Sequence, residues 1–108
     1  MAQLGLPPMD VGQMIAELYE LKLFKDIEAG LWMINGFVQS YGHMDDPFAY
    51  RTLVYVGAHL ICIGSSAPGW GTAEQVQEVV ETGRDILLAA WKKDRGYFKG
   101  HHLECIFA

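Results

Sequence analysis

The longest periodic pattern lies in the first half of the chain. Asp10 can cap the start of a helix, with Gln13 completing a capping box, and Gly42 can end it. Between them, apolar residues recur at steps of three and four, the spacing of one helix face. They are Met14, Leu18, Leu21, Phe24, Ile27, Leu31, Ile34, Val38 and Tyr41. The pattern predicts a long first helix to about residue 40, after a loose N-terminus at residues 1–9.

Such a helix is too long for the body of the protein. Thirty residues at 1.5 Å each span roughly 45 Å, whereas a compact chain of this size has a diameter of roughly 34 Å. We therefore expect either a break at Gly30 or Gly36, or a helix end that projects and packs on something else. The charged residues Glu17, Glu20, Lys25 and Glu28 fall largely off the apolar face.

A second helix is predicted after Asp46-Pro47. Aspartate is a favoured N-cap, and proline is pre-set for the first helical turn. The helix runs through an almost entirely apolar segment to Ile63 and ends at Gly64. Residues 52–63 include several β-favouring types, so a strand is the competing interpretation there.

A third helix begins at a second capping box, formed by Thr72 and Gln75, and ends at Gly96. Residues 64–71, between the second and third helices, carry the turn signals of a loop. The chain closes with an apolar tail, residues 97–108 (YFKGHHLECIFA). An apolar tail must dock on its own domain or be held by another chain, because exposure to water favours aggregation.

These elements predict an all-α fold. We expect one domain over residues 1–108, built as a three-helix bundle with a long first helix and an apolar C-terminal tail. No internal period, charge run or low-complexity tract divides the chain.

Composition narrows the classes of function. The chain has 108 residues, with 13 acidic against 8 basic side chains and a net charge of -5. It therefore lacks the basic field that favours nucleic acids or anionic membranes. Cys62 and Cys105 are too few for a secreted disulfide framework, and residues 1–20 lack the basic start of an export signal. We expect a cytoplasmic protein without direct contact to nucleic acid or membrane.

One motif pair has the spacing of metal ligands. His59-x-x-Cys62 and His102-x-x-Cys105, brought together, would form a tetrahedral zinc site. The alternative is a buried histidine bonded to a carbonyl, with Cys62 packed as a small hydrophobic residue. No glycine-rich turn places either cysteine at a helix N-terminus, where a nucleophilic thiolate is favoured. We predict no catalytic residue, no metal and no cofactor, and keep a small His/Cys metal-binding domain as the alternative.

Large apolar and aromatic residues exceed what three packed helices can bury. The segment LWMINGFV carries them on nearly every side of the first helix, and such residues are enriched at protein interfaces. We predict a non-enzymatic, protein-binding regulator that is a homodimer through its first helix; a structural homo-oligomer is an alternative. The predicted interface residues are Leu31, Trp32, Met33, Phe37, Tyr41, Trp70, Ile106 and Phe107.

The chain also resembles a known family. The segment LWMINGFV, the helices after Asp46-Pro47 and Thr72, and the apolar end LECIFA make it similar to the small helical antiactivators of LuxR-type quorum-sensing receptors. This resemblance implies a cytoplasmic homodimer that binds the ligand-binding domain of a LuxR-type transcriptional activator. By covering the surface used for receptor dimerisation, such a protein blocks DNA binding without catalysis or a cofactor.

Overall fold

A computed structural model describes residues 7–42, 44–66 and 72–107. These residues form helices and turns without a β-strand, so the all-α prediction is confirmed and residues 52–63 are helical. His43, Trp70 and most of the predicted loop at residues 64–71 lie outside the described residues. The elements are α1 (Pro8–Lys25), α2 (Ala29–Tyr41), α3 (Asp46–Ser66), α4 (Ala73–Trp91) and two 3₁₀ turns, Arg95–Phe98 and Glu104–Phe107.

The predicted three-helix bundle with a long first helix is wrong in its helix count, because the described residues form four α-helices. The segment predicted as one long helix forms α1 and α2, and the break is neither at Gly30 nor at Gly36. The chain turns at Asp26, whose φ of 53° lies in the left-handed region that aspartate tolerates better than most side chains. The Asp26 N–H donates to the carbonyl of Lys22, and the next N–H donates to the carbonyl of Leu21, as in a Schellman motif. The Lys22 ammonium also contacts the Asp26 carboxylate at 2.7 Å, which holds the turn from the outside.

The other helix boundaries follow their capping groups. α1 begins at Pro8, and Asp10 lies inside its first turn instead of capping it. The cap of α3 is Asp45 rather than Asp46, because the Asp45 carboxylate accepts from the N–H of Phe48 at 2.9 Å. The predicted capping box of Thr72 is confirmed. α4 ends at Trp91, before Gly96.

The tightest helix contact joins α3 to α4. A Cβ added to Gly57 would lie 2.5 Å from the carbonyl oxygen of Gly83, and one added to Gly83 would lie 2.8 Å from that of Gly57. Both distances are too short for a real side chain, so the two backbones approach directly at these glycines. The α3–α4 contact is also the most extensive contact between two helices in the described fold.

α1 lies against both α2 and α3. It meets α3 at Gly12, where an added Cβ would lie 2.8 Å from the carbonyl oxygen of Thr52. About two turns further along both helices, Glu20 lies beside His59. α1 contacts α2 at Gly30, where an added Cβ would lie 2.6 Å from the carbonyl oxygen of Leu18. α1 is therefore covered on more than one side.

The C-terminal tail packs on its own domain. Phe98, Leu103 and Ile106 are buried with the helical core, which accounts for the apolar end of the sequence. The described molecule measures 42 × 28 × 24 Å. None of its described helices combines the length and apolar character needed to cross a lipid bilayer.

We expect Gly57→Ala to lower the free energy of unfolding by about 1–3 kcal/mol. The new methyl group must push α4 backbone away, and this overpacking exceeds the helix-propensity gain of alanine. Gly36→Ala is the matched control, since a Cβ there meets nothing within 4 Å, and it should stabilise the protein by about 0.5–1 kcal/mol. Urea unfolding followed by circular dichroism measures both. A Gly57→Ala variant as stable as the parent chain would contradict the described crossing.

Candidate functional site

Two surfaces of the described chain each carry a highly exposed tryptophan. The first, here called the α2 patch, consists of Trp32 and Met33, whose exposed fractions are 74% and 52%. Both belong to the predicted interface. Exposed apolar groups of this size are typical of binding surfaces.

The other predicted interface residues are less accessible. Leu31, Phe37 and Phe107 are partly buried against the core. Tyr41 and Ile106 lie in the core instead of on the surface: the Tyr41 ring packs 5.6 Å from that of Phe48, and Ile106 is buried where the tail docks. Trp70 lies outside the described residues. Of the predicted set, the α2 patch alone is highly exposed among the described residues.

The second surface was not predicted. The Trp91 groove is a cleft of about 640 Å³ between the N-terminal half of α3 and the C-terminal end of α4. Its lining residues are Pro47, Tyr50, Arg51, Val54, Tyr55, Ala90, Trp91 and Lys93. Trp91 is 74% exposed, as much as Trp32, and Leu88 one turn earlier is also exposed. The signal in the sequence is that Leu88 and Trp91 are apolar residues off the buried stripe of α4, three positions apart.

The Trp91 groove carries positive charge in an acidic protein. Arg51 and Lys93 are both exposed at its edge, and neither forms an ion pair with any other described residue. Two cations beside exposed aromatic rings suit an acidic ligand with an apolar part.

A second cleft, the C-terminal cleft, measures about 750 Å³ and is lined by both polar and aromatic residues. Its lining residues are Asn35, Arg95, Gly96, Phe98, Lys99, His101, His102, Glu104, Cys105 and Phe107. The hydroxyl of Tyr19 lies 3.0 Å from Nδ1 of His102. Burial is the main reason that the pKa of Tyr19 is raised to about 12, with the nearby Tyr97 adding to it. The Tyr19 hydroxyl therefore stays protonated at neutral pH.

His101 and Cys105, which also line the C-terminal cleft, both favour their uncharged forms. Burial, followed by the nearby His102, lowers the pKa of His101, and Nδ1 of His101 accepts from the N–H of Leu103 at 3.1 Å. This assigns the proton of neutral His101 to Nε2. Burial also raises the pKa of the Cys105 thiol, which disfavours the thiolate that a cysteine nucleophile needs. The permanent positive charges of the cleft come from Arg95 and Lys99.

The guanidinium of Arg95 closes one side of the C-terminal cleft. It lies 4.5 Å from the centre of the Phe107 ring, donates to the Phe107 carbonyl, and contacts the Asp46 carboxylate at 3.4 Å. The Phe107 ring in turn packs on Tyr50 and Phe98. These contacts hold Phe107 in place on its own domain.

Glu20 is buried, although the sequence pattern places it largely off the apolar face. The reason is that α1 packs on α3 as well as α2. One Glu20 carboxylate oxygen lies 3.4 Å from Nε2 of His59, but neither atom has an aligned hydrogen bond among the described residues. Burial, with the charge of Glu17 as a smaller cause, raises the pKa of Glu20 to about 7.

The two His-x-x-Cys segments have separate environments. His59 contacts Glu20 and His102 contacts Tyr19. Across the described ranges, no group of three or more histidine, cysteine, aspartate or glutamate side chains is arranged to hold a metal ion. The four residues of the zinc hypothesis are thus not brought together as a site.

Comparison with known proteins shows a partial similarity to a phosphotransferase. The chain is 31% identical over 86 residues to the phosphotransferase FrzJ from a Cladobotryum species. The match covers 80% of this chain but 22% of FrzJ, so the chain spans about a fifth of the length of this curated relative. No family model matches the sequence, and no solved structure matches it.

We expect the buried Glu20 to make stability depend on pH. Because its pKa rises from 4.5 to about 7 on folding, folding favours the neutral carboxyl. That contribution is fully present below pH 4.5 and is lost as the pH rises through 7, by about 3 kcal/mol in total. Glu20→Gln keeps the shape and removes the charge, so it should be more stable than the parent chain at pH 8 and similar to it near pH 4.

Urea unfolding at a series of pH values measures this difference. Glu17→Gln is the comparison variant: Glu17 is an exposed glutamate on the same helix whose charge is only the smaller cause of the raised pKa of Glu20, so it should show a clearly smaller gain at pH 8. A Glu20→Gln variant whose stability differs from that of the parent chain by the same amount at every pH would refute the account of this carboxyl.

Proposed function

We propose that this chain is a helical part of a phosphotransferase-type protein related to FrzJ, and that it acts by packing against another polypeptide segment through exposed aromatic side chains. The observation that carries the proposal is the match itself: 80% of the chain aligns with a phosphotransferase. Since the match covers 22% of FrzJ, more than three quarters of that protein lies outside it. A helical part of such a protein requires surfaces that bind the remainder.

The α2 patch supports this proposal. Trp32 and Met33 are large side chains on one exposed turn of α2, and their burial against another polypeptide would contribute about 25 cal/mol for each Å² of apolar area covered. α2 also carries no charged residue among Ala29–Tyr41. An uncharged helix surface with an exposed tryptophan suits a permanent contact within a larger protein.

The C-terminal cleft is the place where this chain would contribute to an anionic substrate. Phosphoryl transfer depends on positive groups that position and neutralise phosphate oxygens. Lys99 and Arg95 supply permanent positive charge there, although Arg95 also contacts Asp46. Nε2 of His101 supplies a neutral hydrogen-bond donor. The Glu104 carboxylate, which also lines the cleft, accepts from the N–H of Gly100. In this proposal the remaining catalytic groups belong to the rest of the phosphotransferase-type protein, so the chain alone is not an enzyme.

A second candidate function is favoured by the same α2 patch. In this second candidate, the chain is a separate regulatory protein that binds a client through Trp32 and Met33. The resemblance to antiactivators of LuxR-type receptors implies such a client. The two candidates differ in what covers the patch: the rest of one larger protein, or an independent client. Binding of the isolated chain to a purified LuxR-type ligand-binding domain, with loss of binding on Trp32→Ala, would support the second candidate.

A chimera tests the first candidate. The matched 86 residues of FrzJ are replaced by the aligned residues of this chain, and FrzJ's own phosphotransferase reaction is assayed. We expect a folded chimera with kcat/KM within about tenfold of FrzJ, a loss below about 1.4 kcal/mol of transition-state stabilisation. A chimera that is folded by circular dichroism yet inactive would contradict the proposal.

The α2 patch is tested in the same chimera. Trp32→Ala with Met33→Ala should lower its thermal midpoint or activity, because the two side chains would pack on the remainder of FrzJ. Gln39→Ala is the control, since Gln39 is an exposed polar residue on the same helix. Equal effects of the two changes would argue against this use of the patch.

A further inference from the structure

We propose that this chain forms a two-fold homodimer in which α4 packs antiparallel against α4 of a second copy, and each Trp91 groove holds the acidic N-terminal half of the other copy's α4. This inference is independent of the proposed function. It also differs from self-association through the first helix: α2 carries no charged residue to set a register, whereas α4 does.

The exposed side of α4 is a continuous stripe. The exposed residues recur at helical spacing over about five turns. Those at the N-terminal end are mostly acidic, and those at the C-terminal end are apolar or basic. The exposed residues between positions 73 and 92 are Ala73, Glu74, Gln77, Glu78, Glu81, Arg84, Asp85, Leu88, Trp91 and Lys92. A stripe with acid at one end and base at the other is complementary to its own antiparallel copy.

The register follows from the centre of the stripe. Arg84 and Asp85 are adjacent opposite charges, so a two-fold axis between them brings Arg84 of one copy to Asp85 of the second copy, and the reverse. The same axis places Glu78 against Trp91 and Lys92 of the second copy. It places Glu74 near Lys93, at the edge of the second copy's groove. A two-fold contact of this kind is isologous and closes on itself.

Arg51 gives independent support, because it belongs to α3. It lies in the second turn of α3, where the helix dipole does not stabilise a cation, and it has no ion pair among the described residues. Lys93, which also lines the groove, likewise has no ion pair among the described residues. In this register, Arg51 and Lys93 can therefore form ion pairs with Glu74 and Glu78 of the second copy.

The groove also supplies apolar contact. Tyr55, Leu88 and Trp91 are exposed, and a second copy would cover part of each. Exposed ion pairs alone contribute little, whereas tryptophan and arginine dominate the energy of interfaces when they are covered. The contact is one helix pair long, so we expect a dimer populated at about 100 µM but not at nanomolar concentration.

The test is a charge exchange between two variants. Glu74→Lys/Glu78→Lys gives each copy two basic ends, and Arg51→Glu/Lys93→Glu gives each copy two acidic ends. By sedimentation equilibrium at about 100 µM, the parent chain should be a dimer and each variant alone a monomer. An equimolar mixture of the two variants should recover dimers, since opposite charges meet again at both ends.

Two controls keep the result specific. Glu17→Lys changes an exposed glutamate on α1 and should leave the dimer unchanged. Asp85→Cys should form a disulfide between two copies at position 85 under mild oxidation, whereas Glu17→Cys should not. A monomeric parent chain, variants that dimerise separately, or a mixture that fails to recombine would each overturn the proposal.

Discussion

The contact between Gly57 and Gly83 sets the arrangement of the rest of the molecule. With no side chain on either residue, the backbones of α3 and α4 meet directly, and this crossing fixes the rotation of α4 about its own axis. Val79 and Ile86 are thereby buried, and Leu88 and Trp91 are left facing outward. The exposed aromatic surface at the end of α4 is thus a consequence of the packing of its buried side.

The parts of the fold that depend on local chemistry were predictable. The capping box at Thr72 follows from side chains that bond to neighbouring backbone groups. The helix after Asp46-Pro47 was also predicted, although its cap is Asp45 and not Asp46. The turn at Asp26 was not, because a left-handed aspartate depends on Lys22 and resembles an ordinary helical residue in the periodic pattern. A glycine inside a helix indicates a break as readily as it indicates close packing, and here Gly30 is a packing residue.

The candidate sites were predicted in part for a related reason. Periodicity describes the face of one helix, but burial depends on every neighbour, so Glu20 is buried by α3 although it lies off the apolar stripe. Trp32 and Met33 were found because large apolar groups surround α2 on all sides. Trp91 was not predicted, because it lies outside the buried apolar stripe of α4 from which that helix was inferred. The same two tryptophans now define the two surfaces through which the chain is proposed to act.

Amide hydrogen exchange of the native chain tests most directly whether the α3–α4 crossing is the central constraint. If it is, the slowest amides lie around Gly57 in α3 and Gly83 in α4 and exchange only through global unfolding, while the amides of α2 exchange faster through local opening. Faster exchange at the crossing than in α1 and α2 would contradict this view of the fold.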